Sequence, residues 1–283
     1  MNISFQGIEG SFHHEVAVGY FGQAHEWLGR DHFGEVFDDV AQGRAEYGVV
    51  AIENSNVGTI VGNLDHFDRA DVHIVAEVYL SVQQCLLIHP DSTLEDITEV
   101  QSHPMALDQC RAYLRERPKW TRVEVTDTAG AAKWIIENDA KHVGAVGSAL
   151  AAEVYGINVA AHSIQQDATN QTRFWVIAKS GQPPQSSRAM EYSALKATVS
   201  FETSHETGAL ADALQAVKSN GWNLTKIESR PVPDVPWRYR FFCDMELEPT
   251  VNVDEIESSL HALEQAKAMQ LSRVLGVYRV YAF

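Results

Sequence analysis

The sequence predicts an α/β protein in two parts: a first domain of two lobes, then a smaller β-α-β-β-α-β unit of the ferredoxin-like kind. Three observations predict it. Through residue 180, short apolar runs alternate with helix-length amphipathic segments, the pattern of a sheet covered by helices. The stretch Ser180-Gly181-Gln182-Pro183-Pro184-Gln185-Ser186-Ser187 then gathers Gly, Pro and Ser, as an interdomain linker does. Beyond it the order of signals becomes strand, helix, strand, strand, helix, strand over residues 194–283.

The strands expected before the linker are Ile3–Phe5, Tyr47–Ile52, His73–Tyr79, Val82–Ile88, Arg122–Val125, His142–Val146 and Phe174–Ala178. The helices are His13–Phe21, Phe33–Gln42, Gly62–Phe67, Pro104–Glu116, Gly130–Asn138 and Ser148–Tyr155. Such alternation implies a mostly parallel sheet. Two strand-like runs lie back to back around Leu80, and a late apolar run at Phe174 can return to the first lobe. The division that follows is residues 1–78 with 160–180 for one lobe and 79–159 for the other, a linker at 181–193, and a second domain at 194–283. In that domain Leu195–Phe201, Leu224–Ile227, Tyr239–Met245 and Val274–Tyr281 read as strands. Gly208–Ser219 is a helix with Leu210, Ala213, Leu214 and Val217 on one face, and Ile256–Ala266 is a second.

With 283 residues and 45% hydrophobic content, the chain can build more than one core. It has no apolar run of membrane-spanning length, and Met1-Asn2-Ile3-Ser4-Phe5 lacks the basic start and apolar core of an export signal, so a cytoplasmic location is expected. Cys85, Cys110 and Cys243 are odd in number, widely spaced and in apolar surroundings, which argues for small buried side chains rather than disulfides or a structural zinc. A net charge of −16 disfavours nucleic-acid binding and requires any anionic ligand to be held by a local cluster of cations and N–H groups.

Chemistry concentrates at the strand ends. Four strand-to-helix joins are polar: Gly7-Ile8-Glu9-Gly10-Ser11, Glu53-Asn54-Ser55-Asn56-Val57-Gly58-Thr59, Ser102-His103-Pro104, and Thr126-Asp127-Thr128-Ala129-Gly130. Each has a structural reading as a helix cap, with Pro104 suited to a first helical position. Together, at one end of the strands, they place several helix N-termini around one cleft, which favours a small carboxylate-bearing anion. A fifth polar stretch, Asn170-Gln171-Thr172-Arg173, sets a hydroxyl and a guanidinium at the mouth of a buried strand that begins at Phe174. His103 reads as an N-terminal helix residue. His13 and His14 are adjacent and point to different faces. No metalloprotease, nucleotide-phosphate or serine-nucleophile motif occurs, so no metal and no cofactor is expected.

These residues resemble those of prephenate dehydratases that carry a C-terminal ACT regulatory domain. Gly7-Ile8-Glu9-Gly10-Ser11-Phe12 is similar to the family's opening G-x-x-G-[ST]-F, Ile52-Glu53-Asn54-Ser55 to its I-E-N-S turn, and Ser102-His103-Pro104 with Ala106-Leu107 and Gln109-Cys110 to its S-H-P-x-A-L-x-Q-C helix start. Thr126-Asp127-Thr128-Ala129 and Asn170-x-Thr172-Arg173-Phe174 match later motifs; His13-His14 stands where the family often has a Ser, and Val57-Gly58 departs mildly from its turn. In the second domain Thr207-Gly208-Ala209-Leu210 resembles the G-A-L element, and Asn223-Leu224-Thr225-Lys226-Ile227-Glu228-Ser229-Arg230-Pro231 the N-L-T-x-I-E-S-R-P element.

The resemblance implies a two-lobed, periplasmic-binding-protein-like catalytic domain and a ferredoxin-like ACT domain. It implies decarboxylating dehydration of prephenate to phenylpyruvate, water and carbon dioxide in phenylalanine biosynthesis. It assigns Thr172 to the departing hydroxyl, and Glu53, Asn54, Ser55, Ser102, Gln109, Thr126, Thr128, Arg173 and Phe174 to substrate binding, with Arg173 on a substrate carboxylate. Gly208, Ala209, Leu210, Asn223, Leu224, Glu228, Ser229, Arg230 and Pro231 would bind the end product phenylalanine between subunits of a homotetramer with paired ACT domains. With no chorismate mutase segment before Met1, a monofunctional form is expected. The chemistry needs no electron sink, since aromatisation drives it. Two rivals remain open on the sequence: an arogenate dehydratase, acting on the amino analogue, and a two-lobed solute-binding module without catalysis.

Overall fold

The computed structural model describes residues 1–67, 69–183, 191–248, 256, 258, 260 and 270–283. The chain opens with β1 (Asn2–Gln6), α1 (Phe12–Phe21), β2 (Glu26–Arg30), α2 (Phe33–Ala41), β3 (Tyr47–Asn54), β4 (Gly58–Thr59), α3 (Gly62–His66) and β5 (Val72–Ser81). There follow β6 (Cys85–Ile88), β7 (Glu99–Ser102), α4 (Pro104–Gln109), α5 (Arg111–Arg115), β8 (Thr121–Glu124), α6 (Thr128–Glu137), β9 (Val143–Gly147), α7 (Ala149–Tyr155), β10 (Asn158–Ala161) and β11 (Gln171–Lys179). The last part holds β12 (Ala194–Glu202), α8 (Ala209–Ser219), β13 (Asn223–Pro231), β14 (Tyr239–Leu247) and β15 (Gln270–Ala282). Most of the proline-rich stretch, residues 184–190, lies outside the described residues, as does most of the helix expected at Ile256–Ala266; Ile256 and Leu260 are helical and buried.

The strands form two sheets. One runs β13-β14-β12-β15-β5-β11-β3-β1-β2, with β4 on β3; the other runs β10-β6-β9-β7-β8. The expected parallel character holds for β1 with β2 and β3, and for β7 with β8 and β9, but β11 is antiparallel to both neighbours and β6 to both of its own. Both sheets are therefore mixed, because the chain leaves the first lobe after β5 and returns through β11. The expected helix Pro104–Glu116 breaks in two at Cys110. Strands β2 and β7 escaped the sequence reading because each offers few buried apolar side chains; in β7 only Val100 is one. All three cysteines are buried and unbridged, as expected.

Strand alternation sorts the side chains of β11. Phe174, Val176 and Ala178 pack with α1 residues Val16, Ala17, Tyr20 and Phe21, whereas Trp175 and Ile177 pack on the opposite face with Val36 and Phe37 of α2. Where β11 pairs with β3, the register jumps: Phe174 faces Ala51, Arg173 faces Glu53 and Thr172 faces Asn54. Ile52 is the extra residue of a β-bulge, a device that re-aims the side chains beyond it. Glu53 thereby joins Ile52 on the Trp175 face, and Asn54 turns to the Phe174 face.

The last four strands lie in the order β15-β12-β14-β13, which is the ferredoxin-like order 4-1-3-2 counted from β12. Its β15 also pairs in parallel with β5, so one sheet runs on into the other. At this seam Gly276 is required: a Cβ there would sit 2.3 Å from the Ile74 carbonyl oxygen.

Candidate active site

Between the two sheets lies a crevice of about 380 Å³. The four polar joins found in the sequence converge on it, through Gly7, Ser11, Phe12 and His13 at the start of α1, Asn54 and Val57 after β3, His103, Met105 and Ala106 at the start of α4, and Thr126, Asp127 and Thr128 at the start of α6. Gln84, Gln109, Thr172 and Phe174 complete the wall with apolar Ala51, Ile60 and Val82. Local chemistry explains the convergence. Ser11 caps α1 by accepting the His14 N–H, Asp127 caps α6 by accepting the Gly130 N–H, and the His103 ring accepts the Met105 N–H. The caps of α1 and α6 leave further first-turn N–H groups at the crevice, those of Phe12 and His13 and of Thr128 and Ala129, with the positive end of each helix dipole behind them; α4, which begins with Pro104, offers none, because its Met105, Ala106 and Leu107 N–H groups are all taken by His103.

The chain crosses between the sheets twice, and the crossings are tied by Val82 N–H to the Asn170 carbonyl (2.9 Å) and Ile164 N–H to the Gln84 carbonyl (2.9 Å). The lobes also latch beside α1: the Ser148 hydroxyl donates to the Gly10 carbonyl and the Tyr155 hydroxyl to the Glu9 carbonyl, both at 2.6 Å. Gly10 has φ +84°, and a Cβ on it would meet Ala151 at 2.9 Å, so only glycine allows this approach.

Thr172 is held from one side. Asn54 Nδ2 donates to Thr172 Oγ1 at 3.0 Å and to Asn170 Oδ1 at 2.8 Å. The amide's orientation is settled by its other end, because Asn54 Oδ1 accepts the N–H groups of Asn56 (3.0 Å) and Val57 (3.2 Å) in an Asx-type turn. Since Thr172 Oγ1 accepts from Asn54, its own proton is left to donate to another acceptor, and Thr172 lines the crevice. Across the crevice Gln84 Nε2 donates to Gln109 Oε1 at 3.1 Å, and Gln84 is buried. Phe174 meets the His13 ring edge-to-face at 5.1 Å. His13 Nε2 accepts the Ala51 N–H, and burial lowers its pKa to about 3, so the ring is neutral with its proton on Nδ1. His14, next in sequence, turns to the core and stacks on Phe5, as adjacency on a helix requires.

Of the substrate residues expected from sequence, Asn54, Gln109, Thr126, Thr128, Thr172 and Phe174 share the crevice. The others do not join them. Ser102 is fully buried, its hydroxyl on the Val146 carbonyl at 2.6 Å. Ser55 clamps the turn by accepting the Gln171 N–H at 3.0 Å. Arg173 was expected beside Thr172 at a loop mouth, on a ligand carboxylate; it lies instead within β11, pointing through the sheet, because neighbours on a strand face opposite ways. It is 5% exposed, bonds Asp244 at 2.5 Å and forms ion pairs with Glu77 at 3.3 Å and Glu53 at 3.6 Å. Burial alone would lower its pKa, but Asp244 and Glu77 outweigh that and hold the guanidinium firmly charged. Glu53, carried to the same face by the bulge, accepts from Lys226 at 2.9 Å. Among the described residues no lysine or arginine lines the crevice, so attraction for an anion there rests on helix N-termini. His13 and Gln84 went unread as site residues; the signal for Gln84 was a glutamine pair interrupting an apolar run.

In the second domain Gly208, Ala209 and Leu210 line a separate pocket of about 500 Å³ with Trp237, Arg238 and Tyr239. The β13 element does not reach it within one chain: Arg230 instead forms a two-pronged bond with Asp65 of α3, at 2.9 and 2.6 Å.

The family model of prephenate dehydratase matches residues 3–182. The chain belongs to the prephenate dehydratase family. A bifunctional chorismate mutase/prephenate dehydratase of Aquifex aeolicus (strain VF5) is 36% identical over 279 residues, spanning 98% of this chain and 73% of the relative. Among solved structures, the prephenate dehydratase of Arthrobacter aurescens in complex with L-Phe aligns with a TM-score of 0.82 and 27% identity over 98% of this chain and 89% of that one. GqqA, described as a novel type of quorum quenching acylase, aligns with a TM-score of 0.84 and 29% identity over 99% and 98%. The crevice wall of this family member combines hydroxyls, amides, the His13 and His103 rings, the Asp127 carboxylate and helix ends.

Proposed function

We propose that the crevice dehydrates and decarboxylates prephenate to phenylpyruvate, as a step of phenylalanine biosynthesis. The observation that carries this reading is the Thr172 hydroxyl, oriented by Asn54 and presented among three helix N-termini. Prephenate is a dianion. Its carboxylates suit the N–H groups of α1 and α6, and the apolar wall of Phe174, Ala51 and Ile60 suits its ring. In the reaction the bond between the ring and its carboxylate breaks and releases carbon dioxide, its electron pair moves into the ring, and the ring hydroxyl leaves as hydroxide, which takes one proton from solvent to become water. Thr172 donates a hydrogen bond to that departing oxygen. A threonine hydroxyl is too weak an acid to transfer its proton outright, so its contribution is electrostatic, about 3–4 kcal/mol for a well-placed donor. Gln109, Thr126 and Thr128 orient the substrate, and Asn54 acts through Thr172.

Acyl transfer, the activity named for GqqA, would need a base on a nucleophile. The partner of Thr172 is an amide N–H, which accepts no proton, and His13 is held neutral with Nε2 already engaged. We assign residues 194–283 as an ACT domain that binds phenylalanine beside Gly208-Ala209-Leu210, completed by the β13 element of a second copy, in a tetramer built through ACT pairing. Among the described residues strand β13 is a sheet edge. No described helix is long and apolar enough to cross a membrane, and the enzyme would work in the cytoplasm. The test is aromatic-product formation by ultraviolet absorbance, with kcat/KM measured for prephenate and arogenate side by side. Higher kcat/KM on prephenate supports the reading; a preference for arogenate gives the amino analogue as substrate; turnover of neither refutes it.

A further inference from the structure

The face of the sheet opposite the crevice carries a closed charge lattice. Arg173, Lys196 and Lys226 meet Glu53, Glu77 and Asp244, three cations against three carboxylates. The lattice joins the domains: Glu53, Glu77 and Arg173 sit on β3, β5 and β11, and Lys196, Lys226 and Asp244 on β12, β13 and β14. Its two members nearest the chemistry are each one residue from the Thr172–Asn54 hydrogen bond. Arg173 follows Thr172 on β11, Glu53 precedes Asn54 on β3, and both pairs stand opposite each other in register. Glu53 is gripped from the second domain by Lys226, whose Nζ also donates to Thr59 Oγ1 on β4. Lys226 and Arg230 lie on the same face of β13, and both bond to the first lobe, at Glu53 and Asp65.

We propose that Glu53 and Lys226 are positioning residues: their ion pair fixes the bulged end of β3, hence the Asn54 amide, hence the direction of the Thr172 hydroxyl. This rests on the dehydratase reading and extends it to regulation of the same site. Lys226 lies two residues before Glu228, within the element assigned to phenylalanine. A shift of β13 on ligand binding moves the Lys226 ammonium, and through Glu53 it moves the residue that orients Thr172. The coupling needs no change in the crevice beyond a rotation of one amide, because a misplacement of about 1 Å can cost up to a hundredfold in rate.

The test compares wild type with Lys226→Met, Lys226→Arg and Glu53→Gln, measuring kcat and KM for prephenate, inhibition by L-phenylalanine, and L-phenylalanine binding by calorimetry. Lys226→Met and Glu53→Gln should lower kcat between about tenfold and a hundredfold with KM within about twofold. Lys226→Arg, which keeps the charge, should restore most of it. The Lys226→Met enzyme should still bind L-phenylalanine, while its residual activity no longer responds to it. Unchanged kcat in Lys226→Met with wild-type inhibition would overturn the proposal. So would loss of L-phenylalanine binding itself, which would make Lys226 a ligand contact, or a fall in Tm that Lys226→Arg fails to repair alongside kcat. A wild-type chain that makes no phenylpyruvate would refute the dehydratase reading and the proposal with it; a wild type that turns over while Lys226→Met matches it refutes the proposal alone.

Discussion

Replacing Asn54 with aspartate changes one atom and should disarm Thr172. The turn survives, because a carboxylate oxygen still accepts the Asn56 and Val57 N–H groups now held at 3.0 and 3.2 Å. The Nδ2 donor, however, becomes an acceptor 3.0 Å from Thr172 Oγ1. The threonine proton then turns to the new carboxylate and away from the crevice. The cost should match deletion of the hydroxyl, about 3–4 kcal/mol or 10²- to 10³-fold in kcat for one lost donor to developing charge. Thr172→Val, which keeps the shape, should fall in the same range with KM changed far less, since the contact strengthens in the transition state. The double variant should be little worse than either single one, because both remove the same interaction; the coupling energy should exceed about 1 kcal/mol. Steady-state phenylpyruvate formation with purified variants gives all four corners of the cycle. Additive losses, or an Asn54→Asp enzyme within a few fold of wild type, would refute the argument that Asn54 aims the hydroxyl.

Arg173→Gln should destabilise the fold by about 3–5 kcal/mol, because it strands Asp244 as a buried charge and strips Glu77 of one of its two cations, leaving Lys196, and thermal unfolding reads this directly. A selective rise in KM at unchanged Tm would instead return Arg173 to the substrate. His13 and His14 on one side and Glu15 on the other should pull stability in opposite directions across the acid range. His13 and His14 have pKa values lowered by burial to about 3 and about 4 from an ordinary 6.5, so below pH 6.5 the unfolded chain binds more protons and stability drops as pH falls. Glu15 runs the other way: burial, then Glu153, raise its pKa from 4.5 to about 7, so its contribution is complete below 4.5 and lost as pH rises to about 7. Glu15→Gln should therefore raise Tm at pH 8 relative to wild type, which a melting series across pH checks. L-Phenylalanine at a hundred times its Kd should stabilise the fold by about 2.7 kcal/mol, and no change in Tm would remove it as a ligand.

The sequence made the crevice legible because its parts are local. A Ser, His or Asp directly after a strand caps the next helix whatever the distant fold, so the joins before α1, α4 and α6 foretell where three helix ends meet; the join after β3 was expected to lead to a helix too, but Asn54 closes a turn into β4 instead. The aim of a side chain was not legible in the same way. Thr172 and Arg173 are adjacent, and only the strand that β11 became decides that one enters the crevice and the other leaves it. Glu53 was displaced by a bulge at Ile52, which no periodicity announces. The partner that claims Arg173, Asp244, lies 71 residues away in a different domain. The order β15-β12-β14-β13 followed from the strand and helix count, whereas the union of that sheet with the first lobe through β15 and β5 depends on a backbone approach that only Gly276 permits.

The most direct measurement is a single-turnover experiment on prephenate with wild type and Thr172→Val, following phenylpyruvate and carbon dioxide together while an equilibrium titration gives the Kd of the substrate. An oriented hydroxyl acting on the leaving oxygen predicts equal yields of the two products from wild type, and a rate at least about a hundredfold lower in the variant with Kd scarcely changed. A variant that turns over as fast as wild type, or one that loses rate only by failing to bind, would contradict it.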